Sequence, residues 1–335
     1  MIHGAGVRSK PSNMAILVAM RARKLIVAAL LVVPTACDRV PTDAITPETP
    51  AGVDRTTSTS SPVDGPTCLG RVATIVGTAG DDVLDGTSGR DVIVGLAGDD
   101  VIRGQGSNDV ICGGGGADTI DGGKGDDRLA GGKGDDTIKG KTGRDRILGG
   151  MGDDTLLGHR GDDRIRQGDH QGDDQLDGGP GNDTLVDRRG SNTINGGEGE
   201  DFLWGKGLLA GEAGPDRLLL SKEAAGYGGE GRDHVIIRAR AKSAHGGPAQ
   251  DIISFAPGSF PRGIKARIGG GLVQRGTWVM TFSGFERHYG TDGPDIFFGS
   301  NLNDWIAGGK GRDTVNGQAG TDVCRGFETV TNCEK

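Results

Sequence analysis

The sequence predicts an all-β fold, a parallel β-solenoid of nine-residue half-turns with a β-rich insertion and cysteine-stapled ends. Three observations carry this reading. Glycine supplies 65 of the 335 residues, where roughly 7% is usual. Apolar residues reach only 34% and aromatics 4%, too few to fill the core of a conventional α/β enzyme. Composition alone would read as disorder. The third observation, three residue columns kept in phase every nine residues, overturns that.

The columns are explicit. With Gly77 as position 1, glycine recurs at 86, 95, 104, 113, 122, 131, 140, 149 and 158. Position 6 is Asp82, Asp91, Asp100, Asp109, Asp118, Asp127, Asp136, Asp145, Asp154 and Asp163. Position 8 is Leu or Ile throughout, from Leu84 to Ile165. Gln167 and Gly168 interrupt; the frame resumes at 169–204 with Asp174, Asp183, Asn192 and Asp201 at position 6. Further units stand at 211–219 and 228–236, with a poor copy at 246–254. Clean units return at Gly290, Gly299, Gly308 and Gly317, with Asp295, Asp304, Asp313 and Asp322.

Each element then follows in chain order. Residues 21–24 read Arg-Ala-Arg-Lys, 25–33 are apolar, and Pro34-Thr35-Ala36-Cys37 follows. This is a secretory signal over 1–36, starting at Met1, Met14 or Met20, and too short to span a membrane. Cys37 sits where a lipoprotein signal places its lipidated cysteine, although Pro34 takes a slot that is usually aliphatic. Residues 37–67, rich in Pro, Thr and Ser, read as an extended stalk. Residues 68–236 form the main solenoid. The first six residues of each unit are turn formers, Gly, Asp and Asn. The last three form a short strand that sends position 8 inward and positions 7 and 9 outward. Two units make one turn of 18 residues, placing strands in two facing parallel sheets. One aliphatic per unit cannot bury itself alone, so many units must stack.

Residues 237–289 gather Phe, Trp and Tyr and read as an irregular β excursion; 290–335 form a C-terminal roll and cap. Gly284-Phe285-Glu286 echoes Gly326-Phe327-Glu328, which reads as a capping turn ending each segment. Cys324 and Cys333 both fall at position 8 in successive half-turns, and their facing side chains suit a bridge. Cys68 and Cys112 would staple the N-terminal end. Four cysteines allow three pairings, and spacing alone does not choose among them. Cys37 is left over, consistent with lipidation.

The position-6 carboxylates of alternate units stack on one edge. Neighbouring charges about 5 Å apart repel by nearly 1 kcal/mol even in water, so the metal-free rod is expected to be unstable. Carboxylates beside turn carbonyls are the ligand set of a hard cation, Ca²⁺ in preference to Mg²⁺. No Cys/His set suits Zn²⁺.

Gly122-Gly123-Lys124-Gly125-Asp126-Asp127-Arg128-Leu129-Ala130 resembles the repeat of RTX, or hemolysin-type calcium-binding, proteins, Gly-Gly-x-Gly-x-Asp-x-U-x. The resemblance covers residues 68–236 and 290–325. It implies a right-handed parallel β-roll holding several Ca²⁺ ions between turns. The implied ligands are the Asp residues at 82 through 163 named above with Asp174, Asp183, Asp201, Asp295, Asp304 and Asp313. Carbonyls of Gly98, Gly116, Gly125, Gly134, Gly143 and Gly152 join them. Asn192, Ser107 and the shortened frame at 205–210 depart from the pattern.

Catalytic sets are missing. No His-Glu-x-x-His or Gly-x-Ser-x-Gly occurs. Gly140-Lys141-Thr142 lacks the glycine a phosphate loop requires five residues earlier, where Asp135 stands. The six histidines are scattered, with His159 and His170 in solvated turns. Asp126-Asp127 reads as a solvated residue followed by a column residue, not an acid–base pair. A net charge of −8 argues against nucleic acid. At position 7, Thr119, Thr137 and Thr155 line one face and Arg128, Arg146 and Arg164 the other. This pattern serves solubility and β-propensity.

The expected protein is a monomeric, non-enzymatic calcium binder, secreted or on the cell surface, touching membrane only through a lipid. A competing reading is an adhesin whose Arg/Thr face binds anionic glycan, such as surface polysaccharide or lipopolysaccharide. A third is the repeat module of a secreted hydrolase, for which 237–289 is too short a catalytic domain.

Overall fold

The computed structural model describes residues 65–168, 170–276 and 278–333; the signal segment, Cys37 and the stalk up to residue 64 lie outside the described residues. The chain winds into a parallel β-solenoid of about fourteen turns. Thr119, Thr137 and Thr155 pair in one sheet; Arg128, Arg146 and Arg164 pair in the sheet facing it. Partners in both are parallel and 18 residues apart, because two nine-residue units close one coil.

The position-8 side chains fill the space between the sheets. Ile102, Ile111, Ile120 and Ile138 are 0% exposed, and Leu129, Ile147 and Ile165 no more than 2%. Each such burial is worth about 1.5–3 kcal/mol, and the row extends into a single cluster through Val315.

The strands are longer than alternation marks. They run Thr119–Lys124, Arg128–Lys133 and Thr137–Thr142, from position 7 of one unit to position 3 of the next. The turn shrinks to positions 4–6. The cause is backbone handedness at two positions: Gly123 has φ +104° and Gly125 φ +124°. These bend the chain on either side of a short paired stretch, and the ladder skips only position 1, between Lys139↔Asp121 and Lys141↔Gly123.

Insertions are absorbed as changes of coil length. Gln167 and Gly168 lengthen one coil, so Thr155 pairs with Gln175. The shortened frame pairs Thr193 with Leu208, fifteen residues on. The 18-residue spacing returns at Ala225↔Ser243. Ile252–Phe255 continues the coil on His234–Ile237. The chain then leaves the coil as an antiparallel meander, Lys265–Arg267, Leu272–Arg275 and Trp278–Ser283. This meander lies within one sheet, between Ser243–His245 and Ile296–Phe298. The opposite sheet passes directly from Ile252–Phe255 to Arg287–Tyr289. Aromatic side chains supply the extra volume this asymmetry requires: Phe255, Phe260, Phe282, Phe285 and Phe297 are all buried.

Both ends are stapled. Cys68–Cys112 and Cys324–Cys333 are disulfides with Cα separations of 5.7 and 5.9 Å. An antiparallel hairpin, Thr67–Cys68 with Arg71–Val72, brings Cys68 onto the outer face. There it packs with Val92, Val94 and Val110 in a small second cluster. Val92, Val94 and Val110 stand at outward positions 7 and 9, and this hairpin covers them.

Candidate metal centre

The turn carboxylates do not line a solvated edge. Position-6 Asp side chains turn inward: Asp100, Asp109, Asp118, Asp127, Asp136, Asp145, Asp154 and Asp163 are each about 1% exposed. One oxygen of each is satisfied by the preceding coil. Asp100 donates its main-chain N–H to Asp118 Oδ1 at 2.9 Å, and Asp118 to Asp136 Oδ1 at 2.8 Å. The facing edge repeats this with Asp109→Asp127 and Asp127→Asp145, both 2.8 Å.

The second oxygen has no partner. Oδ2 of Asp100, Asp109, Asp118, Asp127, Asp136, Asp145, Asp163, Asp174, Asp183, Asp201 and Asp313 is buried without a hydrogen bond. An orphaned buried polar atom costs about 1–3 kcal/mol, more when charged. Position-1 glycine shows what surrounds it. A Cβ on Gly104 would lie 2.7 Å from Asp109 Oδ2 and 2.5 Å from the carbonyl oxygen of Gly122. At Gly308 the same point lies 2.6 Å from Asp313 Oδ2 and 2.5 Å from the Gly326 carbonyl oxygen. Oxygens from two coils thus converge on a point that only glycine leaves open. Position-4 carbonyls stack separately along the turn. A Cβ on Gly116, Gly134, Gly143 or Gly152 would strike the carbonyl oxygen of Gly98, Gly116, Gly125 or Gly134 in the preceding coil, and one on Gly172 that of Gly152.

Among the described residues no three His, Cys, Asp or Glu side chains form a group that could hold a metal ion by themselves. A cation here would therefore draw on main-chain carbonyls as well as carboxylates. An all-oxygen, anionic, buried donor set fits Ca²⁺. Burial raises the carboxylates: Asp109, Asp118 and Asp145 to about 6, Asp127, Asp136 and Asp163 to about 7, and Asp183 to about 8. The N–H from the neighbouring coil opposes that rise in every case, and neighbouring carboxylates such as Asp145 beside Asp127 add to it.

Other position-6 residues are placed differently. Asp82, Asp91, Asp295 and Asp304 accept hydrogen bonds from a Thr or Ser four residues earlier, and Asp154 from Gln167. Asn192 keeps the ladder, accepting the Asp174 N–H at 3.1 Å, while its amide donates to the Arg189 carbonyl. Ser107 adopts φ +79° in place of glycine.

Several contributors are absent from the candidate ligand set. Asp216, Asp233, Asp251 and Asp322 carry the same orphaned Oδ2, and Asp233 has neither oxygen paired. Their signal is the position-6 register of the units at 211–219, 228–236, 246–254 and 317–325. Position-5 residues are exposed but not merely solvated. Asp99 accepts the N–H of Ala117 at 2.7 Å, Asp126 that of Arg144 at 2.9 Å, and Asp135 that of Asp153 at 2.9 Å. This outer ladder runs opposite to the inner one. Glu286 and Glu328 occupy the inner ladder where position-6 Asp would stand. Each accepts the N–H of the position-6 Asp one coil earlier on the same edge, Asp251 at 2.6 Å and Asp313 at 2.5 Å.

The chain matches the model of the RTX calcium-binding nonapeptide repeat at 74–102, 85–120, 104–138, 131–165, 170–185, 177–207 and 289–324. No curated protein matches it. Among solved structures it is similar to a hyperactive, Ca²⁺-dependent, β-helical antifreeze protein from an Antarctic bacterium. That likeness is at 21% identity and TM-score 0.36, covering 72% of this chain and 83% of the other. The repeat columns run in register through the coil and the matched stretches reach from 74 to 324, so the chain belongs to the family of RTX, or hemolysin-type, calcium-binding repeat proteins.

Proposed function

We propose that this is an exported, non-enzymatic calcium-binding roll whose coils lock together on extracellular Ca²⁺, tethered to the cell surface through Cys37. The single observation that carries the calcium part is the buried, unpartnered Oδ2 column beside position-1 carbonyls. Without a cation these carboxylates are desolvated and adjacent; with one, the ion offsets their charge and finds its oxygen ligands already in place. Where calcium is scarce the roll is unstable, and abundant calcium stabilises it by mass action. Far-UV circular dichroism of residues 38–335 during a Ca²⁺ titration from chelator tests this. A cooperative gain of β signal with Ca²⁺ and none with Mg²⁺ supports it; a β-rich spectrum in chelator, unmoved by Ca²⁺, overturns it. The tether is tested separately, since Cys37→Ser should abolish incorporation of labelled fatty acid.

A second reading is favoured by one surface feature. A groove is lined by Arg128, Arg144, Arg146 and Arg164 with Asp126, Asp127, Asp145, Asp162 and Asp163. Its arginines are the groups that an anionic glycan would engage. Arg128→Glu with Arg146→Glu and Arg164→Glu should abolish pull-down by such a polymer and leave calcium binding intact; retained pull-down removes this reading.

A further inference from the structure

Two kinds of turn occur along this solenoid, and they differ in what partners the position-6 carboxylate. In the first half-turn, Thr78 donates its main-chain N–H to Asp82 Oδ2 at 2.6 Å and its hydroxyl to the same oxygen at 3.0 Å. Gly80 N–H in turn donates to Thr78 Oγ1 at 3.2 Å. Thr87 repeats the arrangement on Asp91 at 2.6 and 2.9 Å. After the meander the roll starts afresh, and the motif reappears. Thr291 donates its N–H and hydroxyl to Asp295 at 2.6 and 2.9 Å, and Ser300 donates to Asp304 at 2.5 and 3.1 Å. Both pairs occupy the opening coil of a roll segment, 77–94 and 290–307. None of these four Asp residues has a buried oxygen without a partner. In the half-turns that follow, position 2 has φ above zero, as at Leu96, Gln105 and Gly114, and the Oδ2 of Asp100, Asp109 and Asp118 is orphaned.

A fifth turn reaches the same end by another route. The two-residue insertion places Gln167, 3% exposed, inside the inner column. Its amide nitrogen donates to Asp154 Oδ2 at 2.6 Å and to Asp174 Oδ1 at 2.9 Å. Its Oε1 accepts the Gly150 N–H at 3.0 Å. A Cβ on Gly149 would strike Gln167 Oε1 and Asp154 Oδ2, as one on Gly104 would strike the Gly122 carbonyl and Asp109 Oδ2. The carboxamide oxygen thus takes the place of a coil carbonyl, and its N–H protons supply the positive partner of the carboxylate.

We propose that calcium loads only the half-turns whose position-6 Oδ2 has no protein partner. The opening coil of each segment and the Asp154 turn are closed by the chain's own donors and stand without the ion. The two self-closed coils are preformed edges on which the calcium-dependent coils stack, one ahead of 95–165 and one after the meander. This rests on the calcium reading of the orphaned turns.

Hydrogen exchange with mass spectrometry on the full chain, in chelator and in Ca²⁺, tests it. In chelator, peptides covering 77–94 and 290–307 should be protected while those covering 95–145 exchange freely; Ca²⁺ should then protect the centre. Equal exchange of the opening coils and the centre in chelator overturns the proposal. Gln167→Glu provides a second readout, keeping the side-chain shape while exchanging donor for carboxylate. Bound Ca²⁺ per chain, measured by equilibrium dialysis, should rise by one, and the melting temperature in chelator should fall. An unchanged ion count overturns the assignment at Asp154. If the wild-type chain binds no Ca²⁺, the calcium reading fails, whereas the protection pattern in chelator still reports separately on the self-closed coils.

Discussion

At position 6 one carboxylate does two jobs with two oxygens. Oδ1 is structural, accepting an N–H from the coil before; Oδ2 of the orphaned residues is buried without a partner and is the proposed calcium ligand. The two are separable by substitution. Asp127→Asn keeps an acceptor for the Asp109 N–H, as Asn192 does for Asp174, and removes the buried charge. Thermal melts should show Asp127→Asn more stable in chelator by about 1–3 kcal/mol and less stabilised by Ca²⁺ than the wild type. The pH dependence follows from the raised carboxylates, for example Asp136 at about 7 and Asp183 at about 8. The folded chain holds these protons more tightly than the unfolded chain, whose aspartates titrate near ~3.9. The associated stability is full below that value and is lost as pH rises through 6 to 8. Metal-free melting temperature should therefore fall from pH 5 to pH 8. Calcium affinity should move the other way, because the ligands must be ionised; a Ca²⁺ midpoint independent of pH would contradict this.

At the scale of the half-turn, handedness decides which residues are tolerated. Outside the self-closed turns, position 2 is left-handed at several residues that are not glycine: Lys141 has φ +84° and His159 φ +73°. A side chain there costs roughly 1–2 kcal/mol. Lys141→Gly and His159→Gly should each raise the calcium-loaded melting temperature, by about 1 kcal/mol of stability. Gly125→Ala should lower it by more than that, since φ is +124° and the new Cβ would strike the Ser107 carbonyl oxygen. The closing motif acts at this scale too. Gly-Phe-Glu ends each segment by packing Phe285 against Phe282 and Phe327 against Phe297, at ring separations of 6.5 and 5.9 Å. The glutamate that follows terminates the inner ladder. One unit of chain thereby fills the core and satisfies the last amide together.

Across the whole molecule, each coil touches only its neighbours, so stability adds along the axis, and in the calcium-loaded roll it is weakest at the ends, where a coil has one neighbour. The two disulfides sit there. Cys68–Cys112 closes 44 residues and Cys324–Cys333 closes 9; loop-closure entropy assigns them about 4 and about 2.6 kcal/mol. Cys68→Ser with Cys112→Ser should therefore lower the melting temperature more than the C-terminal pair does, and the reverse order would show that native-state contacts outweigh loop closure. The meander has a different consequence. It widens one sheet without widening the other, so aromatic side chains replace the single aliphatic row around it.

The nine-residue phase was enough, by itself, to determine the two-sheet stack, the buried aliphatic row and the pairing of residues 18 apart. It did so because each follows from a count along one chain. Tertiary structure alone decided the inward turn of Asp127 and its neighbours, the extension of strands through Gly-Gly, and the opposed outer ladder at Asp99 and Asp126. It also decided the self-closed turns at Thr78, Thr87, Thr291, Ser300 and Gln167. All of these depend on which atom of one coil meets which atom of the next. That meeting is set by the rise and bend of stacked backbone, where a left-handed glycine and a threonine outside the left-handed region aim the same carboxylate at different partners.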